Sequence, residues 1–390
     1  MNNRRLIVPL LFVCCSVLLA SQEHAPQPLP PPELQAAIDR LGSLDFSTRM
    51  NAARAVRRAP PAQAVPALVQ AVADHPDGYV RFRALVLLTG FDDPRTTDLA
   101  RQVVNDPNDR LRTVAYAFFE NNPDPAMVPT LLSALDRETA EFVRPALIRA
   151  LAAEGDDARV RETLLREVGR GEDFFRSAVI EALGDHRATY AFESLVAIAR
   201  LDGPLQNDAL LALGRLGDRR AIDTLAALQR GAPRDIQPSI AAAMCLLGVD
   251  CPAQLTYLTD TLTFADKNPG FQELLRNTVV GLAALATAGH DEVLKPLFDV
   301  GVPSQDPPRA PMALGAGTTA IRNPASSLAF LEKYQNREEA IDLIGEGFDM
   351  LEEDYQEERF FVTVRHAYWQ AAEDSATRQV AERLIQKLEF

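Results

Sequence analysis

The chain has 390 residues, 47% hydrophobic and 24% charged, which is typical of a globular protein with a large buried core. Its formal net charge is -14. Without residues 1–20, which carry two arginines and no acid, 40 − 2 = 38 basic residues face 54 acidic ones, giving -16. A negative field of this size repels phosphate backbones and argues against nucleic acid as a partner.

The N-terminus has the pattern of a secretory signal. Arg4 and Arg5 precede an apolar run from Leu6 to Ala20, and Ala20 is a small residue at the expected cleavage point. The run is short for a membrane-spanning helix, which needs roughly 20 residues. We therefore predict a signal peptide over 1–20 and an exported protein, periplasmic or extracellular. The alternative is a retained segment that anchors the protein to a membrane.

A proline-rich stretch follows, with prolines at 26, 28, 30, 31 and 32. Such a density of proline is incompatible with a helix interior and typical of an extended linker. We expect residues 21–33 to be a linker, either a disordered mature N-terminus or a tether.

A helix pair is clearest in residues 209–233, which read ALLALGRLGDRRAIDTLAALQRGAP. Leucines form the apolar face of the first helix, and Gly217 ends it because glycine adopts the left-handed conformation without steric cost. Asp218 is placed to cap the next helix, whose apolar residues recur at three-residue spacing. Such a pair buries its apolar side only between copies of itself.

The copies are present at a nearly constant period. Small residues at equivalent places follow one another in steps of 31, 31, 31, 32, 31 and 32 residues, at Ala53, Ala84, Ala115, Ala146, Ala178, Ala209 and Ala241. A small side chain on each first helix allows the next unit to pack closely. A second series of acids is predicted to cap the second helices, at Asp93, Asp124, Asp157, Asp185, Asp218 and Asp250.

The segment LGRLGDRRAIDTLAAL resembles the short HEAT-like repeats also known as PBS-lyase HEAT-like repeats. The resemblance implies an all-α solenoid, a right-handed superhelix of antiparallel helix pairs with the second helices on the concave side. We expect regular repeats over 34–268 and divergent helical repeats forming a C-terminal cap over 269–390. Within the cap, the glycine-rich run LGAGTT at 314–319 is predicted to break a helix.

Two cysteines lie beyond the signal, Cys245 and Cys251, on either side of a predicted helix turn. An oxidising compartment would favour a disulfide between them. The alternative is a pair of half-buried thiols.

No catalytic residue, cofactor site or metal site is predicted. The five histidines are scattered, and none forms a recognised metal-ligand spacing or accompanies a nucleophile motif. Some HEAT-like relatives attach or remove bilin chromophores, but the resemblance lies in the scaffold and carries over no catalytic residue.

The sequence therefore favours a non-catalytic scaffold of the cell envelope that binds a protein or peptide on its concave face. The alternatives are a structural or assembly subunit of an envelope complex and, less favoured, a bilin lyase-like or other enzyme. Exposed positions on the predicted second helices and aromatics of the cap are the candidate contacts: Arg95, Thr97, Arg101, Arg161, Arg166, Arg219, Tyr368 and Trp369. The aromatic cluster of the cap is either a partner site or a core that replaces a missing neighbour.

Overall fold

A computed structural model describes residues 27–390, and the predicted signal over 1–20 lies outside them. The described part is all-α. Its helices are α1 Pro31–Arg40, α2 Phe46–Arg58, α3 Pro61–Asp74, α4 Gly78–Thr89, α5 Arg95–Val103, α6 Asp109–Asn121, α7 Val128–Leu135, α8 Arg144–Ala153, α9 Ala158–Glu167, α10 Asp173–Asp185, α11 Phe192–Ala199, α12 Gln206–Leu216, α13 Ala221–Gln229, α14 Gln237–Leu246, α15 Cys251–Asp266, α16 Gln272–Thr287, α17 Leu294–Gly301, α18 Arg309–Arg322, α19 Pro324–Leu331, α20 Arg337–Leu351, α21 Asp354–Gln370 and α22 Ala376–Lys387.

The helices form an α-solenoid of stacked pairs. From α2 to α20 the even-numbered helices, which the sequence assigns as the first helices of the pairs, pack on one another in one layer, and the odd-numbered helices from α3 to α19 are the second helices. Each first helix packs against the next one, from α2 against α4 to α18 against α20. All seven alanines of the repeat series lie on first helices and are buried, the most exposed being Ala178 at 9%. The predicted repeat and its register are therefore confirmed.

Four of the six predicted aspartate caps are present. Asp93, Asp124, Asp157 and Asp218 each accept a hydrogen bond from the backbone N–H two residues later. The prediction was wrong for the other two. Asp185 is the last residue of α10, and Asp250 has a left-handed backbone and no capping hydrogen bond.

At the C-terminal ends of second helices, backbone carbonyls accept hydrogen bonds from side chains of the following first helix. Arg81 donates to the carbonyl of Val72 at 2.7 Å, and Arg176 donates to that of Val168 at 3.1 Å. The last carbonyls of a helix have no partner within it, so these bonds satisfy groups that would otherwise be buried unpaired. Equivalent bonds run from Arg112 to Asp106, from Gln206 to Ala199, from Arg309 to Val302 and from Arg337 to Leu331.

First helices approach one another unusually closely, and this sets the curvature. A Cβ on Gly214 would lie 2.6 Å from the Cα of Ala243 on α14, and one on Gly317 would lie 2.9 Å from the backbone of Gly347 on α20. The more closely spaced layer of a curved array lies on its inner side. The first helices therefore form the concave layer, and the implied placement of second helices there was wrong.

The segment 314–319 lies in the middle of α18 and does not break it. Glycine costs up to about 1 kcal/mol in a helix interior. Here its small size permits the close contact between α18 and α20, and the tight packing of the two helices offsets that cost. The predicted helix break was wrong because the close packing of α18 on α20 outweighs the low helix propensity of glycine.

Two predicted boundaries can be compared with the helices. The linker predicted over 21–33 overlaps α1, which begins at Pro31. Prolines occupy the first turn of this helix, where a missing N–H removes no helix bond. The boundary at residue 268 falls between α15 and α16, yet α14 packs on α16 as α12 packs on α14. Within residues 27–390, no helix has both the length and the apolar character needed to cross a membrane.

Candidate functional site

The penultimate helix, α21, closes the solenoid into a ring. It packs on α18 and α19 at the C-terminal end and also on α4 and α6 near the N-terminal end. Tyr355 of α21 belongs to the same buried apolar cluster as the N-terminal repeats, and its ring lies edge-on to Phe118 with centroids 6.4 Å apart. The concave face is thereby enclosed rather than open.

A buried ion pair lies at the centre of this closure. Arg57 of α2 donates from Nε to both carboxylate oxygens of Glu358 at 3.0 Å and from Nη2 to Oε2 at 2.6 Å. The two side chains are 3% and 2% exposed, and they are 301 residues apart in the sequence. The Arg57 guanidinium also lies 5.2 Å from the ring centroid of Phe361. Both charges are compensated only while the ring is closed.

Further polar contacts surround this pair. Asp354 pairs with Arg83, Arg359 donates to Asn121, and Asn122 donates to the Tyr355 hydroxyl at 3.4 Å. Glu357 is half-buried beside them; burial, reinforced by the negative charge of Asp354, raises its pKa to about 8. Asp354 and Glu358 of α21 therefore both form ion pairs with the N-terminal repeats across the closure.

The ring encloses an open cavity of about 1170 Å³, which we call the lumen. Its wall consists of first helices and the turns after them, together with α21. Part of the wall is apolar, formed by α16 and α18. There Val280 is 42% exposed and Leu314 is 37% exposed, unusual values for large apolar side chains at the centre of a fold.

Other parts of the lumen wall are charged. Arg322, at the end of α18, pairs with Glu353 at 2.7 Å, and Asp185 pairs with Arg215 at 3.3 Å. Burial opposes the charge on Arg322, but Glu353 and the other carboxylates around it raise its pKa. These groups give the lumen wall charges of both signs in addition to its apolar surface.

Two further carboxylates of this charged wall have different environments. Burial opposes ionisation of Glu120, but His186, 3.9 Å away, and Arg149, 3.4 Å away, together lower its pKa. For Glu181, burial dominates over the charge of Arg215 and raises the pKa. The pKa values of these two carboxylates are therefore shifted in opposite directions.

The predicted basic contacts lie outside the lumen, on or beside second helices. Each is satisfied locally: Arg95 by Asp93, Arg101 by Asp98 and Asp124, Arg161 by the carbonyl of Gly155, Arg166 by Glu167, and Arg219 by the carbonyl of Leu247. Thr97 is half-buried on α5. Their placement on the concave face was wrong because the closely spaced first helices occupy that side.

The aromatic residues of the C-terminal third are mostly core. Phe361 stacks on Phe390 with centroids 4.0 Å apart, and Tyr368 is only 6% exposed. Trp369 is 40% exposed, and the Arg378 guanidinium lies over both Tyr368 and Trp369. Tyr368 is therefore a packed side chain rather than an open anchor, whereas Trp369 has an accessible face.

The two cysteines lie together at the edge of the lumen. Cys245 and Cys251 are joined in the structure, with Cα atoms 4.2 Å apart. His290, which lines the lumen, places Nδ1 3.9 Å from the Cys251 sulfur. The sequence separation of 39 residues between Cys251 and His290 concealed this proximity.

Comparisons with known proteins agree with the helix-pair architecture. The family of HEAT repeats matches residues 34–118. This part of the chain is therefore similar to HEAT repeats. No curated protein matches the chain.

Solved structures with a similar helical arrangement share little sequence. They include a homology model of the full-length AP-3 complex (10% identity, TM-score 0.35, covering 91% of this chain and 82% of that one). They also include Kap121p bound to Nup53p (12% identity, TM-score 0.30, covering 93% and 46%). A third is the S. pombe condensin Cnd3-Cnd2 subcomplex (13%, TM-score 0.27, covering 90% and 59%). The chain thus spans less than two thirds of the latter two.

Proposed function

We propose that the protein is a non-catalytic binding scaffold that takes up a segment of another polypeptide in its lumen. The observation that carries this proposal is the enclosure of the concave face by α21 around a cavity of about 1170 Å³. Pockets for small molecules are typically about 300–1,000 Å³, so the lumen has room for a larger occupant.

The character of the wall supports a peptide as that occupant. Val280 and Leu314 offer apolar contact, while Arg215, Arg322 and Glu181 offer charge elsewhere on the wall. An amphipathic segment would match both kinds of surface at once. Its charged side chains could pair with the wall and its apolar side chains could displace water from α16 and α18.

The test uses peptides selected from a displayed library on the immobilised protein, with binding measured by fluorescence anisotropy. Val280→Asp should weaken binding more than about tenfold, because a charge on the apolar wall must be desolvated by the peptide. Arg101→Glu, on the outer face, is the matched control and should bind as the wild type does. Loss of binding in Arg101→Glu together with normal binding in Val280→Asp would transfer the site to the outer face.

A second candidate is an assembly subunit, favoured by apolar side chains exposed along one edge. Phe46, Phe142, Phe174 and Leu201 are 59%, 57%, 65% and 64% exposed; the three phenylalanines lie at or just before the start of a first helix, and Leu201 lies in the turn between α11 and α12. A row of this kind is typical of an interaction surface. If it mediates assembly, Phe174→Ser should shift sedimentation of the protein towards the monomer, whereas a wild type that is monomeric at micromolar concentration would remove this candidate.

We further propose that the protein works in the cell envelope, on the basis of the signal-like pattern over 1–20. N-terminal sequencing of the natural protein from fractionated cells tests this. A mature chain beginning at Ser21 in the envelope fraction is expected, and a full-length chain in the cytosolic fraction would contradict it.

A further inference from the structure

Three side chains suited to a soft metal ion converge at the corner between α14, α15 and α16. The ligand atoms of Cys245, Cys251 and His290 all lie within 4.8 Å of one another. Cys245 is 2% exposed, whereas Cys251 and His290 are half-buried, so the group is anchored on one side and accessible from the other.

The backbone brings these residues together through tight turns. Gly248 and Asp250, with φ of 75° and 45°, reverse the chain between the two cysteines. Gly289, with φ of 96°, ends the helix that packs on α14 and directs His290 to the same corner. The convergence thus depends on left-handed turns of the helix pairs rather than on flexible loops.

The chemistry of the group fits zinc. Two thiolates and an imidazole are ordinary zinc ligands, with Zn–S bonds of about 2.3 Å and Zn–N bonds of about 2.0–2.1 Å. In a tetrahedral site of these bond lengths the two sulfur atoms are about 3.8 Å apart. A cation therefore requires the dithiol form, in which the sulfur atoms have separated, and cannot be held by the disulfide.

A nearby carboxylate adds to the site. Glu292 Oε1 lies 3.1 Å from Nδ1 of His290, the same nitrogen that faces the Cys251 sulfur. Its negative charge favours a cation at this corner, and a zinc ion bound to Nδ1 would take over the contact that this nitrogen now makes with Glu292.

We propose that the dithiol form binds one Zn²⁺ through Cys245, Cys251 and His290, and that the disulfide form does not. A phosphine reductant and water convert the disulfide into two thiols and the phosphine into its oxide. Zinc binding then displaces one proton from each thiol. The site ties α14 and the turn after α16, which line the lumen, to α15, and it does not depend on peptide binding in the lumen.

The experiment titrates full-length protein, reduced with a phosphine under nitrogen, with Zn²⁺ in competition with a chromophoric zinc indicator. We expect one zinc per chain, loss of binding in Cys251→Ser and more than about tenfold weaker binding in His290→Ala. His366→Ala, at an exposed histidine of α21, is the matched control and should leave zinc affinity unchanged. Circular dichroism of each variant checks that it is folded.

A second readout identifies the ligands. Co²⁺ in place of Zn²⁺ should give thiolate-to-cobalt charge-transfer absorption in the wild type and none in Cys251→Ser. No stoichiometric zinc in the reduced wild type, equal binding by the oxidised protein, or unchanged binding in both folded variants would each overturn the proposal.

Discussion

Removing one partner of the buried closure pair should open the ring. In Arg57→Met the apolar stem of the side chain is roughly retained, but the Glu358 carboxylate, 2% exposed, loses its guanidinium. Breaking a buried pair from one side costs about 3–5 kcal/mol, because the remaining charge is left uncompensated. Opening exposes Glu358 to water and removes that cost. The free energy of ring opening is therefore lower in Arg57→Met than in the wild type.

The expected size of the effect can be measured by hydrogen exchange. Since about 1.4 kcal/mol is a factor of ten, amides of α21 whose exchange proceeds through opening should exchange about two to four orders of magnitude faster. Amides in the centre of the array, such as those of α12, should change little. Mass spectrometry of the exchanged peptides gives both quantities in one experiment.

A matched control separates closure from loss of any ion pair. Arg383→Met breaks the pair with Glu338, whose side chains are 44% and 41% exposed, and should cost less than about 1 kcal/mol. The double variant Arg57→Met, Glu358→Leu removes both buried charges and should restore slow exchange in α21. If Arg57→Met exchanges no faster in α21 than Arg383→Met, the closure does not depend on this pair and the reasoning is refuted.

Three further predictions concern packing and pH. Gly214→Ala should lower the free energy of unfolding by about 1–3 kcal/mol in thermal or urea unfolding, because the new Cβ meets the α14 backbone, whereas Gly231→Ala has open space and should be neutral or slightly stabilising. Because the pKa of Glu357 is raised to about 8, its folded state holds a proton that the unfolded state releases. Stability should therefore fall from about pH 4.5 to 8, and Glu357→Gln, compared by melting temperature across that range, should lack this loss. Ala115→Glu should cost several kcal/mol at a fully buried position, while Ser133→Glu, at an exposed site on α7, should leave the melting temperature within a few degrees of wild type.

The local part of the fold could be read from the sequence because it repeats. The alanine series places the seven first helices from α2 to α14 correctly, and Gly217 ends α12 with a φ of 69°, as the glycine predicts. Both signals act over one helix pair, where propensity and caps decide the structure.

The closure of the ring could not be read in the same way. Arg57 and Glu358 carry no pattern that joins them across 301 residues, and their pairing depends on curvature summed over the whole array. A usable signal was nevertheless present: glycines on first helices, such as Gly214 and Gly317, mark the side on which helices approach closely. If these glycines are interpreted as packing residues rather than as helix breakers, the sequence predicts that the first helices lie on the concave side.

The concave placement of the candidate arginines was wrong for a related reason, and their contact with a partner stays a prediction. The arginines chosen on or beside second helices lie outside the lumen and bind carboxylates or backbone carbonyls of their own or adjacent repeats, as Arg101 binds Asp98 and Asp124. Exposure on a helix surface therefore does not distinguish the inside of a solenoid from its outside. The convergence of His290 on the cysteines depends equally on tertiary packing.

The central claim is that α21 closes the ring and so forms the lumen. The most direct test places the photoreactive amino acid p-benzoylphenylalanine at position 122, since the side chain of Asn122 lies 3.4 Å from the Tyr355 hydroxyl. Irradiation of monomeric protein, mixed with isotope-labelled chains to identify links between molecules, should join residue 122 to the segment 354–361 within one chain. A folded monomer that forms no such link would show that the solenoid is open and would contradict the account.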